Sequence, residues 1–174
     1  GKILVVGSLH LDVIVHSSRL PKPDETLLGD TVSYRFGGKG GNQAVAAAKI
    51  DVQVFMAGRI GTDNFGKQIY DTLSNQNINL DGLKMVDEAT GMSVALIGSD
   101  GIYSAVVVSG ANQTIDLSEI AVPDDLTVLV LQNEINTDAN FEIIKKVPKS
   151  TFIILNAAPA LTPNKDFFER IDLL

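Results

Sequence analysis

Apolar residues in this chain come in short unbroken runs. Residues 3–7 read ILVVG, 52–58 VQVFMAG, 127–132 TVLVLQ and 151–156 TFIILN. Runs of that length without polar alternation predict strands covered on both faces. A further run, LDVIV at 11–15, resumes after a polar break at Ser8 and His10. Between the runs the period lengthens. A helix is predicted from Asn42 through the alanines to Lys49. A second follows Asp63, which suits an N-cap, with Phe65, Ile69, Tyr70 and Leu73 on one stripe. Helices are also predicted near 137–146 and over 164–171. Strands alternating with helices imply a mostly parallel α/β sheet.

Two stretches depart from that alternation. Residues 92–108, MSVALIGSDGIYSAVVV, are two β-rich runs around Ser99-Asp100-Gly101, and Asp-Gly is a strong hairpin signal. Residues 19–35 hold Pro21 and Pro23, which exclude a helix, and their second part suits exposed strands. Together these segments, near 11–35 and 92–108, predict a small accessory sheet beside the main one.

Composition narrows the partners more than the fold. The chain has 174 residues, 45% hydrophobic and 20% charged, as in an ordinary globular domain. Its net charge is −7 and lysine and arginine form no stripe, which argues against nucleic acid or an anionic membrane as the main partner. No apolar run approaches the roughly 18 residues of a membrane helix. Cysteine is absent, which excludes disulfides and thiolate metal sites and fits a cytoplasmic location. The opening GKILVVGSLHLD has no signal-peptide pattern. Asn112-Gln113-Thr114 forms a glycosylation sequon, which is without meaning in a cytoplasmic protein.

The chemistry concentrates around FGGKGGNQAVAAAK at 36–49. Four glycines around a lysine suggest a phosphate cradle, yet both named phosphate loops fail. A Walker A loop needs Ser or Thr after its lysine, and Lys39 is followed by Gly40. A dinucleotide fingerprint begun at Gly38 has Gln43 at its third glycine position. What survives is close backbone approach at the glycines and a helix N-terminus directing free N–H groups at a ligand. Taken alone, a plain glycine-rich strand-to-helix turn is the simpler reading. Asp12, Glu134 and Asn156 change it. Each follows a predicted strand, where parallel sheets open into their ligand crevice. With Lys39 and Asn42 they make a hydroxyl-binding set, since vicinal hydroxyls donate well to carboxylates.

At this point a family resemblance becomes specific. GSLHLD at 7–12, FGGKGGNQAVAAA at 36–48, GRIGTDNFG at 58–66, TG at 90–91, SGAN at 109–112, LQNEI at 131–135 and LNAAPA at 155–160 occur in the order found in the ribokinase-like (PfkB) carbohydrate kinases. The chain resembles the N-terminal half of that family. The resemblance implies a three-layer α/β/α fold with a mostly parallel sheet and a β-sheet lid. It implies ATP-dependent phosphorylation of a primary hydroxyl on ribose or a related pentose, with a nucleoside or ketohexose as the alternative. It implies ATP, Mg2+ and a monovalent cation such as K+ as cofactors, and a homodimer joined through the lid, where Ile102, Ala105 and Val107 alternate. Carried over residue by residue, His10, Asp12, Gly38, Lys39, Asn42 and Glu134 bind the sugar, and Lys39 also meets the phosphoryl group.

Two positions depart from the family. His10 stands where Asn is usual, offering a rigid ring in place of an amide. Asp51 follows the first helix where Gly or Ser is usual, and is expected in left-handed geometry there. The family's catalytic aspartate, in Gly-Ala-Gly-Asp, and its ATP pocket belong to the C-terminal half, which this sequence lacks. TPNKD at 162–166 only superficially resembles the family's Asn-x-x-Glu motif. The expectation is the first half of a longer kinase, and 1–174 alone is expected to be inactive. From another functional class, a non-catalytic sugar-binding or regulatory module would keep the glycine segment and lack the base.

Overall fold

The chain begins with the strand that becomes the middle of its main sheet. The structure, a computed structural model, describes residues 1–161 and 165–174. In chain order the elements are β1 (Lys2–Val6), β2 (His10–Ser17), β3 (Thr31–Gly37), α1 (Lys39–Ala47), β4 (Gln53–Gly61), α2 (Asn64–Ser74), β5 (Ile78–Val86), β6 (Met92–Gly98), β7 (Tyr103–Val108), β8 (Val128–Gln132), α3 (Thr137–Lys146), β9 (Phe152–Asn156) and α4 (Lys165–Phe168). Two short 3₁₀ turns, Gly110–Thr114 and Leu117–Glu119, lie between β7 and β8.

Five strands form a parallel sheet in the order β5-β4-β1-β8-β9. Alternation along β1 splits its side chains between two cores. Leu4 and Val6 pack with Leu129, Leu131, Ile153 and with Ile143 of α3. Val5 packs with Met56, Ile60 and with Ile69 and Leu73 of α2. Helices therefore cover both faces, which makes the three layers and explains why these strands read as unbroken apolar runs.

The remaining four strands form a separate sheet in the order β3-β2-β6-β7. β2 runs parallel to β6, and the outer pairs are antiparallel. This is the expected lid, assembled from the two segments that broke the alternation. The β6–β7 hairpin turns at Asp100-Gly101, where Gly101 has φ +83° and Asp100 Oδ1 accepts from Ile102 N at 3.0 Å.

Asp63 caps α2 as expected, its Oδ1 accepting from Gly66 N at 2.8 Å. The same carboxylate accepts from Thr90 N at 2.8 Å and Thr90 Oγ1 at 2.6 Å, and Thr90 Oγ1 accepts from Gly61 N at 2.9 Å. One acid thus joins the helix start, the end of β4 and the approach to lid strand β6.

Several expectations need correction. α1 starts at Lys39, three residues before Asn42, so two of the glycines lie inside its first turn. Tyr70 leaves the buried stripe of α2 and is exposed, because it falls off the face that Ile69 and Leu73 share. Asp51 is not left-handed: α1 ends in right-handed geometry at Ala48, and Asp24 is the non-glycine residue with positive φ among the described residues. The pattern assigns no element to residues 78–86, where β5 forms the sheet edge with alternating burial. The helix expected over 164–171 is described as the four residues of α4, and beyond it Leu173 bridges to Ile154 beside β9. Thr162, Pro163 and Asn164 of the TPNKD string lie outside the described residues.

Candidate active site

The glycine segment works differently from a ligand cradle. Gly38, with φ +88°, is the N-cap of α1. A Cβ there would sit 2.7 Å from Ser8 O, and one on Gly40 would sit 2.7 Å from the Gly7 carbonyl carbon and Ser8 N. Backbone cannot move aside as a side chain can, so these glycines let the helix start press on the β1–β2 connection. The three free amides of the first turn are also taken. Lys39 N donates to Glu134 Oε2 at 2.9 Å, Gly40 N to Ser8 Oγ at 3.4 Å, and Gly41 N to Ser8 O at 2.9 Å. The expectation of free N–H groups aimed at a ligand is therefore wrong: the protein's own chain caps this helix.

That capping fixes Glu134, which follows β8. Its Oε2 accepts from Ser8 Oγ at 2.5 Å as well as from Lys39 N, and its Oε1 lies 3.2 Å from Lys39 Nζ. Burial alone would raise its pKa, but the bonds from Ser8 and Lys39 prevail and hold it below the ordinary glutamate range. The result is an ionised carboxylate with one oxygen anchored and the other beside an ammonium group.

His10 and Asp12, two residues apart on β2, share a face of the lid. His10 is only 4% exposed, its ring packs over Gly91, and its Nε2 has no hydrogen-bond partner among the described residues. Burial depresses its pKa, against the pull of Glu134 and Asp12, and so favours the uncharged ring. Asp12 is half-buried, with its carboxylate against Gly37, where an added Cβ would lie 2.2 Å from Oδ2. Burial raises its pKa, and the Glu134 charge adds to this while His10 and Lys39 oppose it. The two acids, the lysine and the imidazole therefore feel one another electrostatically.

A cavity of about 390 Å³ lies between the lid and the strand ends, lined by His10, Lys39, Glu134, Val107, Ser109 and Gln113, with Asn133, Ala158 and Pro159 completing it. Of the six expected site residues, His10, Lys39 and Glu134 line this cavity. Asp12 adjoins them through its charge, and Gly38 serves as the helix cap. Asn42 lies one turn into α1, exposed, and does not line the cavity. Asn156, at the exposed end of β9, does not line it either. Ala105 and Val107 lie on the Asp12 face of the lid, opposite to Val94 and Val106, and Ile102 lies in the hairpin connection.

Sequence reading missed Ser8 and Asn112. Ser8 looked like a polar break, yet it is fully buried and joins Glu134 to α1. Asn112, 1% exposed, accepts from Leu9 N at 2.8 Å and donates to Leu9 O at 2.9 Å, pinning the β1–β2 connection. Its burial leaves the asparagine of the sequon inaccessible in the folded chain. A signal existed for both, since each lies in a family-matching string, but neither has a spacing that announces a role.

Chemically, the arrangement offers hydroxyl acceptors and one cation in a partly enclosed space. Among the described residues no three His, Cys, Asp or Glu side chains gather as a metal site. No helix among the described residues is long and apolar enough to cross a membrane.

Comparison with known proteins agrees with the motifs. The pfkB family carbohydrate kinase model matches residues 1–171. A ribokinase of Bacillus subtilis is 36% identical over 163 residues, covering 91% of this chain and 56% of its own length. A ribokinase of Arabidopsis thaliana is 36% identical over 183 residues, covering 99% and 48%. The solved structure of Arabidopsis thaliana ribokinase complexed with ribose and ATP superposes with a TM-score of 0.84 at 33% identity, covering 99% of this chain and 59% of that one. The chain thus spans about half the length of the relatives it matches. With its fold, its motif order and a family match running nearly from end to end, this chain belongs to the PfkB family of carbohydrate kinases.

Proposed function

We propose that this chain is the sugar-holding part of an ATP-dependent kinase that phosphorylates a primary hydroxyl of ribose or a related pentose. The observation that carries this reading is the meeting of Glu134, Lys39 and His10 at one cavity under the lid, with Asp12 electrically coupled to them. Glu134 and Asp12 accept hydrogen bonds from ring hydroxyls, and Lys39 balances charge near the group being transferred. His10 lines the sugar side of the site, and Gly38 caps the helix that presents Lys39. Catalysis then rests on positioning and electrostatic stabilisation, with an aspartate base and the nucleotide pocket supplied outside residues 1–174. ATP, when bound, supplies the phosphoryl group. Mg2+ and a monovalent cation such as K+ belong to that same outside part. The relatives named ribokinase, and the neighbour solved with ribose and ATP, support the choice of pentose and nucleotide.

The reading includes a cytoplasmic homodimer joined through the lid. Val32, Tyr34, Val94 and Val106 share one face of that sheet and are exposed, and apolar faces of this kind are commonly covered by a partner.

The test is Asp12→Ala in the full-length enzyme, read by calorimetric titration with D-ribose. Loss of charge-assisted bonds should weaken binding by about 2–3 kcal/mol. An unchanged Kd would remove Asp12 from the site and undo the reading.

A further inference from the structure

Glu134 accepts two protein hydrogen bonds on one oxygen, and the donor from outside the glycine segment is Ser8. Ser8 is 0% exposed, and its contacts run in three directions. Its Oγ donates to Glu134 Oε2 at 2.5 Å, the same Oγ accepts from Gly40 N at 3.4 Å, and its carbonyl accepts from Gly41 N at 2.9 Å. A hydroxyl has a single proton, so while Gly40 N occupies a lone pair of Oγ, that proton is directed at Glu134. With Oε2 fixed by Ser8 and by Lys39 N, the carboxylate plane is set, and Oε1 is turned to Lys39 Nζ at 3.2 Å on the cavity wall.

We infer that Ser8 is a positioning residue for the sugar-binding carboxylate: it anchors Oε2 of Glu134 so that Oε1 is held toward the substrate's hydroxyls. The inference rests on the sugar-site reading above and adds a residue to it. Ser8 touches no substrate. It acts through Glu134, and it keeps Glu134 ionised by donating to it, in concert with Lys39 N. The charged and titratable groups facing Glu134 are Lys39 from α1 and His10 and Asp12 from β2, and none of them is changed by a substitution at Ser8.

The experiment is Ser8→Ala in the full-length enzyme, with D-ribose as the probe. KM for ribose should rise about tenfold, the scale of one lost charge-assisted hydrogen bond, while kcat changes by less than about twofold. The acid limb of ribose binding should move to higher pH, because Glu134 without the Ser8 donor takes up a proton more readily. A merely structural role would not move that limb. Should the alanine variant not fold, Ser8→Cys fills a similar space with a weaker donor and carries the same comparison. An unchanged KM, or a raised KM with the acid limb in place, would overturn the proposal. Glu134→Gln separates the two levels. If it leaves ribose binding intact, the sugar-site reading itself fails and this inference with it. If it weakens binding while Ser8→Ala does not, only the role of Ser8 is lost.

Discussion

Strands β1 and β7 have nearly the same apolar content and opposite surroundings. β1 reads KILVV, and Val5 and Val6 are 0% exposed. β7 reads YSAVVV, and Val106 is 68% exposed, with every residue of the strand open to solvent. Propensity does not separate them, since both are rich in β-branched residues. Position does. β1 has a strand on each side and helix-backed cores on each face, whereas β7 has β6 alone as a neighbour at the edge of the lid. An apolar run states that a strand forms, and the assembly decides whether it is buried. The two sheets accordingly divide the work: the parallel sheet holds the fold together, and the lid brings His10 and Asp12 over its strand ends.

The largest effect that tests this division is Leu131→Ala in β8. The side chain is fully buried in the core under α3, and its truncation should cost about 2–5 kcal/mol in urea unfolding of the full-length protein. A loss under 1 kcal/mol would mean that the parallel sheet is not where stability resides.

Asp63→Ala probes the seam between the sheets and should cost about 1–3 kcal/mol, through the lost cap of α2 and the lost bonds to Thr90. Burial works to raise the Asp63 pKa, but the Thr90 and Gly66 bonds outweigh it and hold the carboxyl below its ordinary value. Its contribution is therefore complete above the ordinary aspartate range and is lost as pH falls through the lowered folded pKa. The urea midpoint of the wild type should decline over that acid window more steeply than that of the variant. Parallel pH profiles would show instead that the carboxylate is not bonded as described.

Smallest in stability is Val106→Asp on β7. At concentrations low enough to separate protomers, the unfolding free energy should change by no more than about 0.5 kcal/mol. Sedimentation at micromolar concentration should nevertheless show weakened self-association. A variant that dimerises like the wild type would place the subunit contact away from this face.

The sequence by itself determined the parallel sheet, the separate β-rich lid, the hairpin at Asp100-Gly101, the cap at Asp63 and the family motifs. Each of these depends on local chemistry: the period of burial, the φ freedom of glycine, or the reach of a side-chain oxygen to a nearby amide. It placed Asp12, Glu134 and Lys39 at strand or helix ends and left His10 to the family resemblance, and there the local signal stopped. Only the tertiary structure decided that the glycines serve the helix's approach to the β1–β2 connection, because Gly40 and Ser8 are 32 residues apart in sequence. It likewise decided that Ser8, reading as a break between two runs, reaches a carboxylate 126 residues away. Long-range capping and edge exposure have no periodicity along the chain. They arise from which backbones come to lie side by side, and so β5, α1's first turn and the two fates of valine become visible only once the sheets are assembled.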